Sequence, residues 1–160
     1  MKQIAITKYP QMVYSPAYRY MPEAYAELFS NMEHSPGGMY LPTGSEDYVF
    51  VAHSVGQPES VYGFLACYDW RLSVITAMAY TRPDFRRRGI HSALFKTLKA
   101  DAEERGMREI SSSAFHSNTA SLESQRKQGR TPSSSAFLTR LPSKAGTTVY
   151  AEVKDHVPWI

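Results

Sequence analysis

The chain has 160 residues, 42% apolar and 21% charged, with a net charge of +3 at pH 7. That length fits a single domain over residues 1–160, able to bury roughly 70% of its unfolded surface. A lone cysteine, Cys67, excludes an internal disulfide framework, and five histidines without metal-ligand spacing argue against a metal centre. No apolar run approaches the ~20 residues of a membrane span, and the first residues lack an apolar signal core, so a cytoplasmic location is expected.

In chain order, Gln3–Thr7 alternates weakly and reads as a first strand. Met21–Met32 has helical spacing, with Tyr25, Leu28, Phe29 and Met32 on one side and Pro22 in the first turn. Ser35-Pro36-Gly37-Gly38 breaks the chain. Tyr48–Val55, Val61–Tyr68 and Leu72–Tyr80 read as strands, with Gly56–Ser60 as a turn, and their short connections predict an antiparallel meander. A helix follows over about Ile90–Arg105, with an apolar stripe of Ile90, Ala93, Leu94, Thr97, Leu98 and Ala102 and a stop at Gly106. Arg108–Phe115 reads as a strand parallel to the one before that helix. Ser117 or Asn118 caps a polar helix ending at Gly129. Ala136–Leu141 and Thr147–Val153 complete the order as two strands. The expected class is α+β, a mixed and mostly antiparallel central sheet flanked by helices.

Charge is unevenly spread. Residues 1–80 hold four Lys/Arg against seven Asp/Glu, and residues 81–160 hold fourteen against eight. A basic half suits an anionic ligand and an acidic half a cationic one. The densest basic point is Arg86-Arg87-Arg88-Gly89-Ile90-His91, between a strand and a helix. Helix N-termini carry unpaired N–H groups and partial positive charge, so such a turn is a seat for phosphate.

This stretch resembles the acetyl-CoA pyrophosphate loop of the GNAT superfamily of N-acetyltransferases. The family pattern is Arg or Gln, two residues, Gly, one residue, then Gly or Ala; His91 departs from it at the last position. A second likeness starts at Asn118. The family often follows that Asn with a small residue, a Tyr and a Gly-Phe pair at fixed spacings. Ser121 and Gly129 match, whereas Gln125 and Arg130 stand where Tyr and Phe are usual. The order of elements matches the family as well.

The resemblance implies acetyl-CoA as co-substrate and direct acetyl transfer to an acceptor amine. It implies that the pyrophosphate rests on the turn formed by Arg86, Arg87, Arg88, Gly89, Ile90, His91 and Ser92. The pantetheine arm would lie along the strand ending in Met78, Ala79, Tyr80 and Thr81, where that strand parts from Arg108–Phe115. A backbone N–H there would stabilise the developing oxyanion. Asn118 would help hold the arm or start the helix, and Arg82 would reach the 3′-phosphate. His116 is the first candidate for the base, since an ordinary histidine pKa of about 6.5 suits that task; His53, His34, Asp69 and Glu33 are weaker ones. Gln125 stands at the family's acid position, but it has no proton to give and can only hydrogen-bond the sulfur, which leaves the adjacent Ser124 or water to serve. Tyr9, Tyr14, Tyr18, Tyr20, Tyr25 and Tyr40, beside Glu23, Glu27 and Glu33, either enclose a cationic acceptor or pack as an aromatic-rich helix. The alternative is an inactive acetyl-CoA-binding module of the same fold. Nucleic acid is disfavoured, because the sequence shows no basic–aromatic interleaving. No membrane partner is expected, and a homodimer stays open.

Overall fold

The computed structural model describes residues 3–30, 48–112, 114 and 118–132. Its five strands form one sheet in sequence order. β1 (Ile4–Tyr9), β2 (Tyr48–Ser54), β3 (Gln57–Trp70) and β4 (Ser73–Thr81) are antiparallel neighbours. Helix α2 (Ile90–Glu104) then carries the chain across to β5 (Glu109–Ser112), which runs parallel to β4. A parallel neighbour needs such a crossover, whereas antiparallel neighbours need only tight turns. Helices α1 (Met21–Ser30) and α3 (Thr119–Lys127) complete the described elements. The α+β class, the meander and the parallel crossover are all present. The final strands expected at 136–141 and 147–153 lie outside the described residues, as does His116.

Two expectations need correction. The β2–β3 connection is a two-residue turn at Val55-Gly56, not a five-residue one, because Ser54 pairs directly with Gln57. The register then jumps to His53–Val61, so Pro58 sits in a bulged stretch where no ladder N–H is required of it. Short 3-10 turns at Met12–Tyr14, Tyr18–Tyr20 and Pro83–Phe85 were also not legible in the periodicity.

The sheet is buried on both faces. One face packs Val49, Val51, Phe64, Ala66, Met78 and Tyr80 beneath Met21 and Ala24 of α1. The other packs Phe50, Ala52, Leu65, Cys67 and Val74 beneath Ile90, Leu94, Leu98 and Ala102 of α2. In β4 the face changes along the strand. Val74 looks toward α2, yet Met78 and Tyr80 look toward α1, although all three stand at even positions. A bulge explains this: Cys67 pairs with Thr76 and Ala66 with Met78, leaving Ala77 as the extra residue. One inserted residue exchanges the two faces for everything beyond it. Nearby, β3 passes close to the end of β4 at Gly63, where a Cβ would lie 2.6 Å from the Tyr80 carbonyl oxygen. Only glycine fits that approach. No helix among the described residues is long and apolar enough to cross a membrane.

Candidate active site

The site is built where, among the described residues, the pairing of β4 with β5 stops. β4 and β5 pair from Ser73–Glu109 to Thr76–Ser112, and beyond that no described residue of β5 lies beside β4. β4 continues to Thr81, still paired to β3. The parting begins at the Ala77 bulge, where a strand bends and twists. Beyond it Met78 and Tyr80 are buried toward α1, while Ala79 is exposed on the opposite side. Among the described residues no strand pairs with β4 on its β5 side over Ala77–Thr81, and the small Ala79 side chain there is exposed.

The chain then turns into α2. Phe85 anchors this turn by stacking on Tyr62, with ring centroids 4.2 Å apart. The Arg82 backbone N–H donates to the Tyr62 carbonyl at 3.0 Å, and its guanidinium donates to the Val61 carbonyl at 3.1 Å. That guanidinium also lies over Tyr20 (5.1 Å) and Phe85 (5.3 Å). Arg82 thus fastens the turn to β3. Arg19 over Tyr20 and Arg88 over Phe85 extend the series. Basic and aromatic groups therefore alternate in space around this turn, each ring faced by a guanidinium of the chain itself.

Arg87 and Gly89 both have left-handed backbones, at φ 60° and 78°. Such a conformation is uncommon for an arginine and turns successive N–H groups into an anion-binding concavity. Gly89 is the N-cap of α2 and offers no side-chain cap. The N–H groups of Ile90, His91 and Ser92 consequently have no carbonyl one turn back. Arg86, Arg87, Arg88 and Gly89 are exposed, Ser92 is exposed and Ile90 is buried. A Cβ added at Gly89 meets nothing within 4 Å, so the space over this helix end is open.

The His91 imidazole meets α3. Its Nδ1 accepts from Gln128 Nε2 at 3.0 Å and sits 3.2 Å from Ser124 Oγ, which fastens α3 to the start of α2. Burial, and then the nearby Arg130, hold the imidazole pKa below its ordinary value. Gln125 is likewise occupied: its Oε1 accepts from Ser112 Oγ at 3.0 Å and its Nε2 donates to Ser121 Oγ at 3.3 Å. This places Gln125 against the last residue of β5, beside the opening. Asn118 caps α3, its Oδ1 accepting the Ser121 N–H at 3.0 Å.

On the α1 side of the opening, the Tyr80 hydroxyl donates to Glu23 Oε2 at 2.6 Å. Burial and this hydrogen bond push the phenol up, keeping it protonated at neutral pH. One turn on, Glu27 receives Arg86 Nη2 at 2.5 Å, and Arg86 Nε donates to the Thr81 carbonyl at 3.0 Å. A surface hollow of about 380 Å³ lies nearby, lined by Tyr18, Arg19, Met21, Pro22 and Tyr25. Of the weaker base candidates, His53 is buried with both ring nitrogens engaged, by Thr7 Oγ1 and the Ser54 carbonyl. Asp69 belongs to an ion-pair network at the far end of α2. Cys67 is fully buried. Glu33, His34, Tyr40 and His116 lie outside the described residues. The reading of the sequence missed the pairing of Glu27 with Arg86 and the contact of Ser112 with Gln125. The i, i+4 spacing of Glu23 and Glu27 was the available signal for the first.

The model of the Acetyltransferase (GNAT) family matches residues 7–129. No curated protein matches the chain. Among solved structures, the aminoglycoside acetyltransferase meta-AAC0020 from an uncultured soil metagenomic sample, in complex with trehalose, superposes with a TM-score of 0.63 at 16% identity, over 88% of this chain and 97% of that one. Ribosomal-protein-alanine N-acetyltransferase from Brucella melitensis biovar Abortus 2308 gives 0.62 at 18% identity, over 88% and 100%. Aminoglycoside N-acetyltransferase AAC(6′)-Iy in complex with CoA gives 0.59 at 16% identity, over 87% and 100%. At such identities these three establish a shared fold. The family match spans most of the chain, including the opened sheet and the turn into α2, and so the chain belongs to the GNAT family, the acetyl-CoA-dependent N-acetyltransferases.

Proposed function

We propose that acetyl-CoA binds with its pyrophosphate on the N–H groups of Arg87 to Ser92 and its pantetheine arm along the Ala77–Thr81 edge of β4. The observation that supports this best is the parting of β4 from β5 after Thr76–Ser112. Among the described residues it leaves a strand edge with no partner strand, leading to a helix end without a side-chain cap. An extended chain bearing amides can add to such an edge as a peptide does. The helix end favours an anion, and Arg87 and Arg88 add charge to it. Ile90 holds the start of α2 on the sheet, and Asn118, whose Oδ1 caps α3, would offer its Nδ2 to the arm.

An N–H of the Met78–Tyr80 segment takes up the negative charge that develops on the thioester oxygen. The acceptor nitrogen forms its C–N bond as the C–S bond breaks. Its proton leaves to a base, and the departing thiolate takes a proton from water, directly or relayed by Ser124, whose hydroxyl regains its own from water, because Gln125 has none to give. The acceptor is a cationic amine approaching from the α1 side, past Glu23, Glu27 and the tyrosine-lined hollow. Holding both reactants in one cleft supplies much of the rate.

The experiment is calorimetry with coenzyme A, followed by a thiol-release assay with acetyl-CoA and amines of differing charge, sisomicin and a peptide α-amine among them. Saturable coenzyme binding and turnover that favours multiply charged amines are expected. Folded protein that gives no heat with coenzyme A overturns the reading.

A further inference from the structure

We infer that Glu23 binds a second, non-reacting ammonium of the acceptor, and that Tyr80 is the positioning residue that holds its carboxylate near the end of β4. This rests on the coenzyme seat and the cationic acceptor proposed above, and it narrows the acceptor to amines whose two cations stand several bonds apart. The Ala77 bulge turns Tyr80 to the α1 face. Its ring packs on Phe64, with centroids 5.6 Å apart, and the residue is 5% exposed. The hydroxyl of this buried ring donates to Glu23 Oε2 at 2.6 Å. Glu23 itself is exposed, in the first turn of α1. An exposed glutamate ordinarily keeps its rotamer freedom; here a buried phenol holds it to one place.

Glu23 differs from its neighbour on α1. Glu27, one turn on, faces the Arg86 guanidinium, whereas no described residue brings a cation within ion-pair distance of Glu23. A carboxylate accepts at about four lone-pair sites, and the single phenol proton fills one. The others suit an ammonium, which only donates. Distance then decides which ammonium. The attacking nitrogen has to come within about 3–3.5 Å of the thioester carbon, and the thioester is proposed to lie against the Met78–Tyr80 backbone. Glu23 stands farther out, beyond the length of a tyrosine side chain and a hydrogen bond of 2.6 Å. One nitrogen cannot meet both demands, so the carboxylate takes a second cation while the first nitrogen, uncharged, attacks. Tyr80 fixes the two places relative to each other. The residue that contributes backbone to the thioester end also carries the hydroxyl that holds Glu23.

The test compares hexamethylenediamine with hexylamine in the thiol-release assay. It reads the ratio of their kcat/KM values in the wild type, Glu23→Gln, Tyr80→Phe and the double variant. The two amines are nearly the same length and differ by one charge. The wild type is expected to prefer the diamine. Glu23→Gln is expected to lower that preference about two- to fivefold, the range an exposed charge pair supports. Tyr80→Phe keeps the ring against Phe64 and removes only the hydroxyl. It is expected to lower the preference in the wild-type background and to leave it unaltered in the Glu23→Gln background. Damage to the fold slows both amines together and does not move the ratio. The inference is overturned if the wild type shows no preference or if the ratio survives Glu23→Gln. It is overturned equally if Tyr80→Phe leaves the ratio unaltered or lowers it to the same extent in both backgrounds. In all these cases the wild type still gives heat with coenzyme A; a wild type that gives none marks failure of the coenzyme seat instead.

Discussion

Helix α2 ends in two polar environments that differ in how completely their groups are matched. At its C-terminal end, Arg105 reaches Asp69 at 2.5 Å, Asp101 at 2.8 Å and the Tyr48 hydroxyl at 2.8 Å. Tyr48 donates to Asp69 at 2.8 Å, and Lys8 meets Asp101 at 2.6 Å while lying over the Tyr48 ring. Three strands and the helix are joined, and each charge faces an opposite one. Burial opposes ionisation of Asp101, yet hydrogen bonds from Lys8 and Arg105 hold its carboxyl below its usual value. The cation also stands where the helix dipole favours it. At the N-terminal end, by contrast, the helix has no side-chain cap, a left-handed Arg87 precedes it, and Arg87 and Arg88 are exposed. A network with matched groups holds the fold together; the uncapped donors at the other end of the same helix are where we propose that a ligand binds.

The contrast predicts that damage at the two ends separates binding from stability. Gly89→Glu puts a carboxylate at the open end and is expected to weaken coenzyme A binding by at least roughly a hundredfold, since like charges about 4 Å apart near a surface repel by about 4 kcal/mol before screening. Its left-handed backbone adds a stability cost of about 1–2 kcal/mol, small enough for the fold to survive. Calorimetry and a thermal melt on the same sample check both halves; retained affinity breaks the comparison. Arg105→Ala acts in the opposite sense. It strips partners from Asp69 and Asp101 and is expected to cost about 2 kcal/mol, or roughly 4–8 °C of melting temperature for a domain of this size. Coenzyme affinity should stay within about twofold, since the change lies at the far end of a 15-residue helix.

Much of this layout was legible in the sequence because it rests on local rules. The strands, the crossover helix and the cap at Asn118 follow from periodicity, chain breaks and capping chemistry, and each stands within a few residues of its expected place. The turn into α2 was legible because consecutive arginines and a glycine before an amphipathic run have a physical meaning as an anion seat. What stayed hidden depends on position in space. The alternation Val74, Thr76, Met78, Tyr80 reads as one face, and the bulge at Ala77 that divides it leaves no mark in the composition. His91 read as a neighbour of the pyrophosphate, yet it faces α3, a helix whose approach no local pattern announces. Glu27 and Arg86 stand 59 positions apart, so only the packing of α1 on the end of β4 brings them together.

Two smaller effects sharpen the same contrast around α3. Asn118→Ala removes the cap of this short helix and is expected to cost about 1 kcal/mol, seen as a lower melting temperature, and to loosen the Gln125 contact with Ser112. An accompanying fall in coenzyme affinity would link the helix start to the pantetheine arm, whereas stability loss alone would leave Asn118 as a cap and nothing more.

The smallest effect concerns pH. His91 is mostly buried, and its folded pKa lies below the ordinary histidine value, because burial and then Arg130 disfavour the charged ring. Between the folded and unfolded pKa values the unfolded chain holds more protons, so stability rises with pH in that window. The contribution is complete above the unfolded value of about 6.5 and is lost as pH falls toward the lower folded one. Protonation would also abolish the acceptor role of Nδ1 toward Gln128 and set a positive ring against Arg130 and the partial positive charge at the start of α2. Melts of the wild type are therefore expected to fall on acidification below that value, and His91→Gln, which cannot titrate there, should flatten this part of the profile. An identical pH profile in the two proteins would show that His91 does not couple α3 to the open end of α2 through its neutral state.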